Sequence, residues 1–387
     1  MARITPYKGA NTAQFYIPEV EPGVTPANPS WFPLRNTGGV PAVTRDALVS
    51  NELDGSRETS SIRTGNKQVS GEYAIELSAR SQDDFLAGAL SSTWSGVIAP
   101  LALNDVTVDP VAKTFTSTDT IANVQVGDLV AFVGLTGNNA KPFIITAHSG
   151  LSVTGAGIPY ELTAETADAT LHYPEYLHTG SQCKTFSILT WFKGECGGPP
   201  AYVLTKGVEI SGYTIEQTVN AYVTGSFPFI GTSQQVLTAV PAGSTFTTSF
   251  DSDPFSSVDV SAFNGTAPLK LIDTFTITND NGASAQFELG NDSVAFVEKG
   301  RATNTFSLAG KLYDMTMYEA FLNEEQVELT SILTNSDGAM AFTLKNAELT
   351  AATPEVSGPE SVTLSIEGQA TGGPLQSSIV IQRLSVA

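Results

Sequence analysis

The feature that most constrains this chain is a pattern written twice. "QVSGEYAIELS" from Gln68 alternates, with Val69, Gly71, Tyr73, Ile75 and Leu77 on one face and Ser70, Glu72, Ala74, Glu76 and Ser78 on the other. That is a half-buried strand. "SQDDFLAGALSSTW" follows, where Ser81 and Asp84 are spaced as a capping box before a short helix with Phe85, Leu86, Ala89 and Leu90 as its apolar face. In the second half "TFSLAGKLY" alternates in the same way, and Thr316 with Glu319 in "TMYEAFLNEE" opens another short helix. A shift of about 235 residues lays Leu77 on Leu312.

The later landmarks repeat too. The word SILT stands at Ser187 and again at Ser331, ahead of the pairs Lys206/Glu209 and Lys345/Glu348. An offset of 139 sets Glu209 on Glu348, Glu216 on Glu355, Val223 on Val362 and Phe227 on Ile366. Ordered landmarks at nearly fixed offsets predict two copies of one β-rich unit. The expected fold is therefore mainly β: two tandem, related β-sandwich lobes, each with a short flanking helix, plus a small inserted β-domain.

The boundaries follow. Residues 1–40 are Pro-rich and read as an extended N-terminal arm, because proline fixes φ and removes donors. Its Trp31 and Phe32 are large apolar groups that must dock, on the same chain or a neighbour. Lobe 1 is 41–97 and 183–245, and lobe 2 is 246–387. The stretch 98–182 has strand signals of its own ("VGDLVAFVG", "KPFIITAHSG") and no counterpart in the second half. It reads as an inserted barrel that projects from the outer face of lobe 1. Two long polar hairpins precede the repeated strands. Their turn signals are Asp54-Gly55 and Asn281-Gly282, and Arg57 and Arg63 sit on the first.

Composition narrows the function classes. Charged residues are only 15% and the net charge is −20, from 39 acids against 19 bases. A chain so acidic does not grip phosphates, and the same excess keeps a surface soluble or lets DNA pass. No apolar run approaches the ~18 residues needed to span a bilayer, so no membrane partner is expected. The start lacks a signal-peptide pattern, which predicts synthesis in a cytoplasm. Cys183 and Cys196 flank a hairpin and either pair or stay idle. His172 and His178 near Glu175 are a weak metal pattern, and no phosphate loop or G-x-S-x-G, H-E-x-x-H or EF-hand motif is present. No enzyme and no cofactor are expected.

"VSNELDGSRETSSIRTGNKQVSGEYAIELSARSQDDFLAGALSSTW", with its R-x-T loop, V-S-G-E-x-x-x-E-L strand, D-D-F-L helix and closing Trp94, resembles the opening of tail tube (major tail) proteins of long-tailed, non-contractile bacteriophages, the siphophage type. The second half, from "LIDTFTITNDNG" to "VSGPESVTLSIEGQA", is similar as well. The resemblance implies a structural virion protein that stacks as rings into a tail tube, a conduit for DNA ejection. It implies assembly in the host bacterial cytoplasm and residence in the virion tail. The partners would be other copies of the chain, tape measure, tail terminator and distal tail proteins, and DNA in transient passage. Glu72, Glu76, Glu209, Glu348 and Glu367 would then line the lumen, with Lys311 aligned to Glu76. The hairpin residues Asp54, Gly55, Arg57, Arg63, Asn281 and Gly282 would bridge subunits. One chain would supply two of six wall units, so a trimer with pseudo-sixfold symmetry is expected over a hexamer. A secreted or surface β-rich adhesin with a binding insert is the alternative.

Overall fold

The computed structural model describes residues 6–53, 57–155, 161–194, 198–248, 252–373 and 376–384. The chain opens with β1 (Thr12–Pro18) and β2 (Ser30–Pro33), then β3 (Ala42–Val49), β4 (Ile62–Glu76) and helix α1 (Asp83–Ala89). Six strands follow: β5 (Leu101–Asp109), β6 (Thr114–Thr116), β7 (Leu129–Val133), β8 (Phe143–His148), β9 (Ser152–Gly155) and β10 (Glu165–His172). Next come β11 (Glu175–His178), β12 (Phe186–Phe192), β13 (Ala201–Ile210), β14 (Gly212–Thr218), β15 (Thr224–Gly231) and β16 (Ser233–Leu237). A connecting stretch carries β17 (Thr245–Phe246), β18 (Val260–Asn264) and β19 (Ala267–Pro268). The second half is β20 (Ile272–Asp280), the small pair β21 (Ser284–Gln286) and β22 (Phe296–Glu298), and β23 (Thr303–Lys311). Helix α2 (Thr316–Leu322), β24 (Val327–Thr334), β25 (Ala339–Glu355), β26 (Thr363–Ala370) and β27 (Ile379–Leu384) complete it.

Two layers enclose one core. The inner layer is a continuous antiparallel sheet in the order β3-β4-β15-β14-β20-β23-β26-β25. The outer layer has two parts, β1-β12-β13-β16 over the first half and β18-β24-β25-β27 over the second. Alternation sends Tyr73, Ile75, Phe227, Tyr213, Ile215, Phe275, Ile277, Phe306, Leu308 and Ile366 inward to a single cluster shared by both halves.

Pairings recur in the two halves. Phe227 faces Tyr73, and Ile366 faces Leu308, each partner displaced by the offsets of 139 and 235 read in the sequence. A bulge precedes Ile188 in the β12–β13 pair, and another precedes Leu329 in the β24–β25 pair. There Phe186 opposes Val208 and Val327 opposes Ala347. These registers set Ile188 against Leu329, so the two SILT words are not equivalent. Ile188 enters the main core, whereas Ile332 faces a separate patch. The repeat is carried by strand register, and the repeated word is displaced from it by three residues.

Three expectations are refined or corrected. Within the extended arm expected over residues 1–40, the described residues from Thr12 are packed into the sheet: β1 pairs along β12, from Thr12 with Phe192 to Pro18 with Phe186. Trp31 docks on its own chain, fully buried among Ile17, Leu189, Tyr202 and Leu204 with its Nε1 donating to Ser244 Oγ at 3.0 Å; Phe32 stays part-exposed. Neither capping box forms. The N-cap positions are Gln82 and Met315, without side-chain caps, and Asp314 Oδ1 accepts from Thr316 N instead. Finally, β5–β10 do close into a barrel with its own core, but it does not project from lobe 1. Its Leu129 and Ala131 pack on Phe263, Ile332, Ala339, Ala341 and Leu384 of the second half. Gln382 clamps the contact, accepting from Leu129 N and donating to Gly127 O, both at 2.7 Å.

Candidate functional surface

The face of the inner sheet opposite the core is chemically distinct. Each strand that buries aromatic and aliphatic residues on one side presents hydroxyls and carboxylates on the other, because successive side chains alternate. Thr214, Thr274, Thr276, Thr278, Ser307, Ser365 and Gln369 carpet it. Glu72, Glu76, Glu216, Asp280, Glu348, Glu355 and Glu367 add negative charge, against Lys311 on the same strands. The structure thus brings Glu72, Glu76, Glu348 and Glu367 together on one face, Glu348 at its corner where Gln326 Nε2 donates to it at 3.1 Å. Glu209 departs from this set. It is 6% exposed and paired with Lys299 at 3.5 Å, and burial raises its carboxyl above the ordinary range even so.

The hairpin residues also separate. Asp54 and Gly55 lie outside the described residues, as does Cys196. Arg57 and Arg63 are exposed on the first hairpin. Asn281 is buried and donates to Ala89 O and Ile210 O, so it anchors the chain internally rather than facing a neighbour. Gly282, at φ +62°, closes the base of a longer excursion with Gly300. That excursion leans on its own first half: Asp292 meets Lys67 at 3.1 Å. The first hairpin exposes Leu48, Val49, Leu53 and Ile62.

One cluster carried no sequence signal. Arg383 of β27 binds Asp83 of α1 and Glu175 of β11, the latter at 2.5 Å, and stacks 4.4 Å from the Trp94 ring. It ties three distant segments together, and burial pushes Asp83 up to about 6 against the pull of Arg383. No spacing rule joins residues 83, 175 and 383. Among the described residues no three His, Cys, Asp or Glu side chains are grouped to hold a metal ion, and no helix is long and apolar enough to cross a membrane.

A family model described as phage tail tube protein matches residues 9–370, nearly the whole chain and the inserted barrel with it. A search of curated proteins finds no match.

Proposed function

The chain belongs to the phage tail tube protein family, and from that premise we propose that it closes into rings whose inner wall is the acidic, hydroxyl-rich face of the continuous sheet. Membership makes it a structural component of a virion tail, associating with its own copies and other tail components. The family is a structural one and not an enzyme family, and it does not favour the adhesin alternative. The finer reading concerns geometry. Stacked rings would form a tube for DNA ejection, in a long non-contractile tail as the sequence resemblance implies.

The observation that carries this reading is the eight-strand sheet with one apolar and one polar face and open edges at β3 and at the C-terminal end of β25, residues 349–355. Its two halves behave as two copies of one wall unit, in line with the conserved registers. Three such chains supply twenty-four strands. At ~4.8 Å per strand and ~40° tilt these close into a barrel roughly 45–50 Å across, wide enough to pass a duplex once side chains are subtracted. Six chains would double it. A wall bearing Glu72, Glu76, Glu216, Glu355 and Glu367 repels phosphates rather than binding them, so DNA slides past without sticking. Cryo-electron microscopy of assembled tubes tests the reading: three inserted barrels per ring are expected. Six barrels in true sixfold symmetry, or these carboxylates on the outer surface, would overturn it.

A further inference from the structure

Resting on that ring reading, we propose that the seam between neighbouring copies is a one-rung-short version of the joint already present inside each chain. That internal joint is the β14–β20 pair, running from Gly212 opposite Asp280 to Thr218 opposite Thr274. Val219 N donates to Asp273 O and Asn281 N to Ser211 O, which fixes the doubly bonded rungs at odd positions of β14. Ile215 opposite Ile277 is one of them.

The repeat offsets carry this joint to the open edges. The 139-residue shift places Pro354 where Ile215 stands. Val43 opposes Val69 as Asn279 opposes Asn304, so Pro41 stands where Ile277 does. Both prolines turn their missing donor outward. Ala74 N donates to Gly38 O, which makes even residues of the first segment bond inward to β4 and leaves Pro41 facing the edge. Thr371 N donates to Asn346 O, and beyond the bulge this makes Ala351, Thr353 and Glu355 the inward-bonding residues, leaving Pro354 facing out.

Proline at an open edge stops promiscuous strand pairing. Here both edges carry it at the same rung, so two copies meeting in the internal register forfeit that rung alone. The carbonyl this leaves on Pro41 has a donor already: Gln234 Nε2 reaches it at 3.1 Å. The occupant of each edge is therefore a second copy, with Ala42 opposite Thr353 and Pro41 opposite Pro354.

Disulfide trapping tests the register. Thr214 Oγ1 and Thr278 Oγ1 lie 3.4 Å apart across the internal joint, and Ala42 and Thr353 are their equivalents across the seam. Cys183 and Cys196 are replaced by Ser in the full chain, and Ala42→Cys and Thr353→Cys are introduced together. Oxidation of assembled tubes should give an intermolecular disulfide whose ladder on a non-reducing gel stops at three chains. Thr44→Cys with Thr353→Cys, two residues out of register, should give little. A Thr214→Cys/Thr278→Cys variant should close within one chain. Tubes that form while the Ala42/Thr353 pair stays reduced, or cross-links no better than the out-of-register pair, would overturn the seam and leave the wall reading standing. A protein that forms neither rings nor tubes at any concentration would overturn both.

Discussion

Removal of the inserted barrel is the sharpest test of how the two halves are supported. Its chain enters and leaves at one place, since Ser95 N donates to Tyr176 O and Tyr176 N to Ser95 Oγ, so a short Gly/Ser link can replace residues 98–173 without straining the backbone. Strand β11 must stay, because it pairs with β27 and supplies Glu175 to Arg383. The difficulty lies beneath the barrel. Phe263, Ile332 and Leu384 are each under 7% exposed there, with Ala339 and Ala341 between them. Full exposure of such side chains costs about 1.5–3 kcal/mol each, and losing the cover on one side is about half of that, so the deletion should cost roughly 2–5 kcal/mol. With a urea slope near ~3 kcal/mol per molar this is a fall in midpoint of about 1 M. The assay is urea unfolding with light scattering, run on the deletion and on a second deletion carrying Phe263→Thr and Ile332→Thr. The first should be less stable and should aggregate, and the second should recover solubility. A deletion as stable and as soluble as the full chain would refute the reasoning and return the barrel to the status of a detached insert.

Other perturbations have defined outcomes. Burial pushes Asp83 up to about 6 in the folded chain from its ordinary 3.8, so the stability its protonated form contributes is complete below pH ~4 and is lost as pH rises through about 6. Asp83→Asn should flatten that part of the stability–pH curve, worth about 3 kcal/mol at most, and an unchanged slope would contradict the burial argument. Trp31→Ala should cost ~3–5 kcal/mol in chemical unfolding, because a fully buried indole leaves a cavity between β12, β13 and the connecting stretch; a loss under ~1 kcal/mol would mean the segment is a loose arm after all. Gly368→Ala places a Cβ 2.4 Å from Glu348 O and 2.6 Å from the Phe306 ring, so β25 and β26 must part, and a thermal midpoint lowered by several degrees is expected.

Strand identity and facing were legible in the sequence because alternation is a local property. Tyr73, Ile75, Phe306 and Leu308 had to share a side whatever else the chain did, and the offsets of 139 and 235 were recoverable from side-chain order alone. The carboxylates Glu72, Glu76 and Glu367 followed by the same rule. Where a contact joins segments far apart in the chain, no periodicity reports it. Glu209 sits in register with Glu348, yet Lys299 covers it because an excursion 90 residues later folds back over that position. The Arg383–Asp83–Glu175 cluster, the barrel seated on Phe263 and Ile332, and β1 laid along β12 are of the same kind. Proline-rich composition predicted an extended segment and was right about its shape, but extension is also what a strand needs, and only the unpaired edge of β12 decided which it became. SILT misled for the complementary reason. Identity of residues is a chemical likeness, whereas equivalence in a sheet is set by which backbone groups face each other, and a shift of three residues reverses every side chain.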